Sequence, residues 1–200
     1  MRQDKGRLVI VSGPSGAGKS TVISRVSQMR TDIRFSVSVT TRAPRENERE
    51  GVDYYFRTPE QFYEMVKADA FLEHAEYTGA SYGTPAAPVE KDLEEGYSVI
   101  LDIEVQGAAQ VMDKRSDAVT VFLCPPSLEE LERRLRGRGT DSDEKIRERL
   151  TAAHREYGQA HNYDYIIIND NADTAVRQLD AIITAEKCRS NIVLEGDSLI

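Results

Sequence analysis

GPSGAGKS, Gly13 to Ser20, stands between the apolar run LVIV (Leu8–Val11) and the segment TVISRV that opens at Thr21. Gly13, Gly18, Lys19 and Ser20 fit the pattern GxxxxGK[ST], and the setting predicts a strand before the loop and a helix after it. Glycines let the backbone curl so that successive N–H groups point inward. The helix start adds positive partial charge to the same hollow. Such a loop cradles nucleotide phosphates, with the Lys19 ammonium bridging the outer phosphates and the Ser20 hydroxyl ligating Mg²⁺. The alternative is a plain glycine-rich turn, against which the strand and helix context weighs.

Outward from the loop, short apolar runs alternate with amphipathic stretches, the pattern of a parallel sheet wrapped by helices. Strands are predicted at Arg7–Ser12, Phe35–Val39, Phe71–Tyr77, Tyr97–Ile103, Ala118–Leu123 and Tyr163–Ile168. Helices are predicted at Lys19–Met29, Pro59–Ala68, Gln106–Asp113, Ser127–Leu135 and Asp143–Ala160, with a last one from Ala172. Thr58 with Gln61, and Ser127 with Glu130, have the spacing of capping boxes. TGASYGTP (Thr78–Pro85) is expected to be a loop. The polar stretch between Arg42 and Thr84 breaks the strand–helix rhythm and reads as an inserted lobe. Asp102 closes the apolar run VIL, where a second acid would reach Mg²⁺ through water. Glu104 lies two residues on, on the same face if the strand continues.

The chain has 200 residues, enough for one domain with insertions and a substantial core. Its formal charge of −8 argues against broad nucleic-acid binding, which needs a basic face. Cys124 and Cys188 lack metal or CxxC spacing and read as reduced, structurally buried thiols. The short polar start carries no secretory signal and no apolar run is long enough for a membrane, so the expected location is cytoplasmic. Oligomeric state is left open.

Two basic clusters stand out against the acidic background. Arg42, Arg45 and Arg49 crowd one loop, where arginine forks suit a phosphate, or where Glu46, Glu48 and Glu50 simply neutralise them. Between Arg133 and Arg149 there are seven Lys/Arg against four Asp/Glu. Part of that run can serve as i,i+4 pairs on a helix. The three histidines, His74, His154 and His161, show no triad arrangement.

At TTRAPR (Thr40–Arg45) and RGRGTDS (Arg136–Ser142) the chain resembles the guanylate kinases. The likeness includes SGPSGAGKST, GVDYYF, FLEHAEY, YGTP, ILDIEVQGA and YDYIIIND in the family's order, and so covers nearly the whole chain. The resemblance implies a P-loop core of helices on a parallel sheet (1–34, 88–134 and 155–200). It further implies an inserted mixed β/α GMP-binding lobe (35–87) and a small helical lid (135–154). It implies transfer of the γ-phosphoryl of MgATP to GMP, with ATP and Mg²⁺ required, GMP and ATP as small-molecule partners, and no nucleic acid or membrane.

ATP would lie on Gly13, Pro14, Ser15, Gly16, Ala17, Gly18, Lys19, Ser20, Thr21 and, near the adenine, Asn169. GMP would be held by Ser38, Arg42, Arg45, Tyr54, Glu73, Tyr82 and Thr84, with Asp102 and Glu104 nearby. Mg²⁺ would fall to Ser20 and Asp102. Lys19, Arg42, Arg134, Arg138 and Arg149 would be the catalytic set. Glu73 makes chemical sense there, because a carboxylate accepts from both N1–H and the 2-amino group of guanine, and adenine offers neither. Taken alone, Glu73 is the polar face of an alternating strand, and Tyr54 and Tyr82 are half-buried core. Two rival readings are a silent phosphopeptide-binding domain of the same fold and a kinase of another phosphorylated acceptor. The first conflicts with the intact loop and the second with Ser38, Glu73 and Thr84.

Overall fold

The computed structural model describes residues 6–77, 79–137, 139 and 141–189. The chain runs β1 (Leu8–Ser12), α1 (Lys19–Met29), β2 (Ile33–Phe35), β3 (Val39–Thr40), β4 (Tyr55–Phe56) and α2 (Pro59–Lys67). It continues with β5 (Phe71–Tyr77), β6 (Ala80–Pro85), α3 (Ala86–Glu94), β7 (Ser98–Asp102) and α4 (Val105–Lys114). It ends with β8 (Val119–Cys124), α5 (Leu128–Gly137), α6 (Asp143–Tyr157), a short 3-10 turn, β9 (Tyr165–Ile168) and α7 (Ala172–Glu186).

Five parallel strands in the order β2-β7-β1-β8-β9 form the central sheet. β1 and β8 are buried along their whole length, which is why both read as continuous apolar runs rather than alternating ones. Val22, Val26, Leu179 and Ile183 of α1 and α7 pack on one face, while Val89, Leu93, Ala108 and Val111 of α3 and α4 pack on the other. Each fully buried aliphatic side chain contributes roughly 1.5–3 kcal/mol. The loop of interest leaves the carboxyl end of β1, beside that of β7, where open α/β sheets bind ligands.

A second, mixed sheet has the order β4-β3-β6-β5 and its own small core of Val39, Phe62 and Phe71. The capping box of α2 forms as predicted. The Gln61 N–H donates to Thr58 Oγ1 at 3.2 Å and the Thr58 N–H to Gln61 Oε1 at 3.0 Å. Leu131, Leu135, Ile146 and Ala153 make a separate cluster between α5 and α6.

Several sequence expectations are corrected. The predicted strand Phe35–Val39 is the crossing between the two sheets: β2 ends at Phe35 and β3 begins at Val39. TGASYGTP is largely strand, since β6 pairs with both β3 and β5. Its turn-like glycine is a packing residue, because a Cβ on Gly83 would stand 2.9 Å from the Phe71 ring. Helix α3 was not foreseen, as it starts after Pro85 with no side-chain cap and carries Pro88 in its first turn. β7 stops at Asp102, so Glu104 is the residue before α4 rather than a strand neighbour of Asp102. The long helix predicted to Ala160 ends at Tyr157. At Ser127 half of a box forms. The Glu130 N–H donates to Ser127 Oγ, while the Glu130 carboxylate accepts from Arg133 and Arg134, which draw its pKa down to about 2. Cys124 is buried, but Cys188 is exposed.

Candidate active site

The loop has the geometry its glycines suggest. Gly13, Gly16 and Gly18 have φ of 140°, 98° and 94°, a region that side chains disfavour. A Cβ on Gly13 would stand 2.0 Å from the Leu123 carbonyl oxygen, so the turn hugs β8. Pro14, Ser15, Gly16, Gly18, Lys19, Ser20, Thr21 and Asp102 line one polar hollow. Within it Lys19 Nζ donates to the Gly13 carbonyl at 2.6 Å, curling over the loop. Ser20 Oγ donates to Asp102 Oδ2 at 3.2 Å. That all-oxygen pair suits Mg²⁺, which takes few protein ligands and fills its shell with phosphate and water. Among the described residues no cluster of three or more His, Cys, Asp or Glu side chains forms a metal cage. Asp102 opens on the hollow but is enclosed by protein behind. This desolvation pushes its carboxyl up, against the opposing pull of the Lys19 charge and the Ser20 hydroxyl.

The loop is braced from behind. The side-chain amide of buried Asn169, just after β9, donates to the Ala17 carbonyl at 2.8 Å, and its N–H to the Cys124 carbonyl. From α5, Arg134 donates to the carbonyls of Ala17 and Asn169 and to the Glu130 carboxylate. From α6, Arg149 donates to Ser15 Oγ and pairs with Asp141 at 3.3 Å. Arg138 lies outside the described residues. Asn169→Ala is expected to lower unfolding stability by about 0.5–1.5 kcal/mol, because the Ala17 carbonyl loses its shorter hydrogen bond and keeps only the one from Arg134. Denaturant titration measures it, and an unchanged midpoint would show the brace to be idle.

On the second sheet, Glu73 and Thr84 are register partners of β5 and β6. Thr84 Oγ1 donates to Glu73 Oε1 at 2.6 Å, and Glu73 is only 7% exposed. Burial raises its carboxyl, partly offset by the Thr84 hydroxyl and N–H. The Arg42 guanidinium lies 5.4 Å from the centre of the Tyr54 ring, with the Tyr82 phenol beside it. Tyr54 and Tyr82 meet edge to face with ring centres 6.1 Å apart. Arg42 also donates both prongs of its fork to Glu48, at 2.8 and 3.0 Å, while Glu48 accepts the Arg45 N–H. The Glu48 carboxyl is thereby held below its ordinary value, chiefly by Arg42. Arg45 is exposed, and Ser38 is half-buried at the crossing between the sheets.

The sequence reading missed Glu156 on α6. Burial and the neighbouring Glu104 raise its carboxyl, and the Lys19 charge opposes them. Nothing in LTAAHREYGQA marks it out, since only the return of α6 toward the loop brings this acid near Lys19.

A family model described as "Guanylate kinase" matches residues 5–186 of the chain. A guanylate kinase of Synechococcus sp. (strain JA-3-3Ab) is 50% identical over 179 residues, which is 90% of this chain and 82% of that protein. One from Clostridium perfringens (strain SM101 / Type A) is 46% identical over 195 residues, covering 98% and 90% of the two chains. The crystal structure of guanylate kinase from Anaplasma phagocytophilum matches with a TM-score of 0.74 at 34% identity, covering 94% of this chain and 89% of that one.

Proposed function

The chain belongs to the guanylate kinase family, and on that footing we propose that it transfers the γ-phosphoryl of MgATP to the phosphate of GMP, giving ADP and GDP. The observation that carries the reading is the pairing of two features. One is a glycine loop with Lys19 curled over it, and the other is a buried carboxylate, Glu73, held ready by Thr84. dGMP shares the base and the phosphate of GMP and is proposed as a second acceptor. The proposed setting is purine nucleotide metabolism in the cytoplasm.

In this reading residues 13–21 take the donor phosphates, Asn169 flanks the adenine, and Ser20 and Asp102 hold Mg²⁺. The metal supplies charge neutralisation at the β- and γ-phosphates when bound. The second sheet is the acceptor lobe. Arg42 and Arg45 grip the GMP phosphate beside the Tyr54 and Tyr82 hydroxyls. Glu73, Thr84 and Ser38 read the base, with Asp102 and Glu104 at the edge of its site. Arg42 must exchange Glu48 for the incoming phosphate, a like-for-like swap of one bidentate anion for another. Arg134, Arg138 and Arg149 bring positive charge from the segment 135–154 and its edge. The nucleophile is a phosphate oxygen of GMP. A monoester with its second pKa near 6 is already largely dianionic at neutral pH, so no general base is needed. The protein's work is then positioning and charge stabilisation.

The test is an ADP-release assay with MgATP and a panel of nucleoside monophosphates. GMP is expected to lead the panel, and another preferred acceptor would overturn the reading. Glu73→Gln is expected to erode the GMP-over-AMP preference by about 10²-fold or more, since a buried carboxylate is lost as acceptor for two guanine donors. An unchanged ratio removes Glu73 from base reading.

The same group sets a pH dependence. Its base-reading form is the carboxylate, and burial raises its pKa above the ordinary 4.5. GMP binding should therefore weaken as pH falls through that raised value, on top of the protonation of the GMP phosphate near pH 6. In Glu73→Gln only the phosphate limb should remain in the KM profile. For stability the sign is opposite. A carboxyl whose folded pKa is raised favours the fold in acid, and that advantage is lost as pH rises through the raised value. Glu73→Gln should accordingly melt no lower than the parent at pH 7.

A further inference from the structure

We infer that Gly107 sets the base specificity of the acceptor site, because only a hydrogen at that position leaves room for the Glu73 carboxylate. The inference rests on the base-reading role proposed for Glu73. Gly107 lies in the first turn of α4 and is buried, with no left-handed φ that would call for glycine. What calls for it is contact. A Cβ at 107 would stand 2.7 Å from Glu73 Oε2, 3.2 Å from Cδ and 3.4 Å from Cγ. These three nearest atoms all belong to one side chain.

The close approach is built in. From α4 the Gln110 side chain exchanges two hydrogen bonds with the His74 backbone, accepting its N–H at 3.2 Å and donating to its carbonyl at 3.0 Å. One turn on, Lys114 Nζ donates to the Phe71 carbonyl at 2.9 Å and to Asp69 at 2.8 Å. Positions 107, 110 and 114 share one helix face. They clamp α4 against β5 at 71, 73 and 74, the stretch where a register shift between Phe71 and Glu73 breaks the regular pairing with β6. The carboxylate is tethered on one side only, because its Oε1 accepts from Thr84 while Oε2 faces position 107. A methyl at 107 therefore turns the carboxylate about its bond to Thr84, which moves Oε2 and spoils the aim at a planar base. The fold has a cheap way out, since the yielding group is the end of a flexible side chain and Ala is a better helix former than Gly.

The experiment is Gly107→Ala measured beside Glu73→Gln. Expected for Gly107→Ala are a rise in the KM for GMP of about 10-fold or more and a comparable fall in the GMP-over-AMP preference. The KM for ATP should stay within about twofold and the melting temperature should not fall. Glu73→Asp draws the carboxylate back by one methylene, so it should cost less GMP affinity in the Gly107→Ala background than in the parent. A GMP KM within about twofold of the parent, while Glu73→Gln does erode the preference, overturns the role of Gly107 alone. A drop in melting temperature above about 5 °C overturns it as well, because the carboxylate would not be the group that yields. If Glu73→Gln also leaves the preference intact, the base-reading role of Glu73 falls and takes Gly107 with it.

Discussion

Lys19→Ala is expected to lower kcat by about 10³-fold or more while GMP still binds with near-parent affinity. Lys19 is the one ammonium lining the loop's hollow among the described residues, and its Nζ already points back over the loop at the Gly13 carbonyl. In the proposed reaction a bound nucleotide would offer phosphate oxygens in place of that carbonyl, and the charge developing on the transferred phosphoryl would be met by a preorganised cation. Losing the ammonium removes the cation that lies on the loop itself, which the proposed Mg²⁺ and arginines do not replace there. The side chain is only half-buried, so the fold should survive. Lys19→Arg is not a rescue, because a planar fork does not replace a compact point charge. Steady-state kinetics with calorimetric GMP binding gives both readouts. A kcat within threefold of the parent would remove the loop from phosphoryl transfer.

Arg149→Ala is expected to cost about 10²–10⁴-fold in kcat and much less in the KM for GMP. Arg149 belongs to α6 but reaches across to Ser15 on the loop, with Asp141 holding the other side of its guanidinium. In the proposed reaction it would bring positive charge from α6 to the phosphates held by the loop, where an arginine counts most in the transition state. Lysine at 149 should recover little. It cannot serve Asp141 and a phosphate oxygen with a rigid fork at once. The opposite pattern, a large KM effect with kcat retained, would make Arg149 a ground-state binding residue.

How far the site was legible depended on the length scale of each signal. GPSGAGKS is local, because strand, turn and helix start lie within a dozen residues, and its glycine conformations follow from what side chains forbid. The capping box at Thr58 is likewise local and formed as spaced. Glu73 was legible only by resemblance. Its alternating strand looks half-solvated, and its burial comes from Thr84 across β6 and Gly107 on α4, 11 residues and more than 30 residues away. β6 was hidden for the same reason. Its Gly, Ser and Pro favour turns, and pairing on both sides overrides that preference.

The sequence by itself determined the glycine loop of this protein and the two elements that flank it. A phosphate loop, its strand and its helix are short-range consequences of backbone sterics and of where apolar residues run unbroken. Only the tertiary structure decided the rest. It put Arg134 and Asn169 behind the loop and Arg149 on top of it, tied Arg42 to Glu48, and set Glu73 against Gly107. Those relations join residues far apart in the chain through single hydrogen bonds and contacts of a few ångströms. No periodicity encodes such distances, because they arise only when α4, α5, α6 and both sheets have packed.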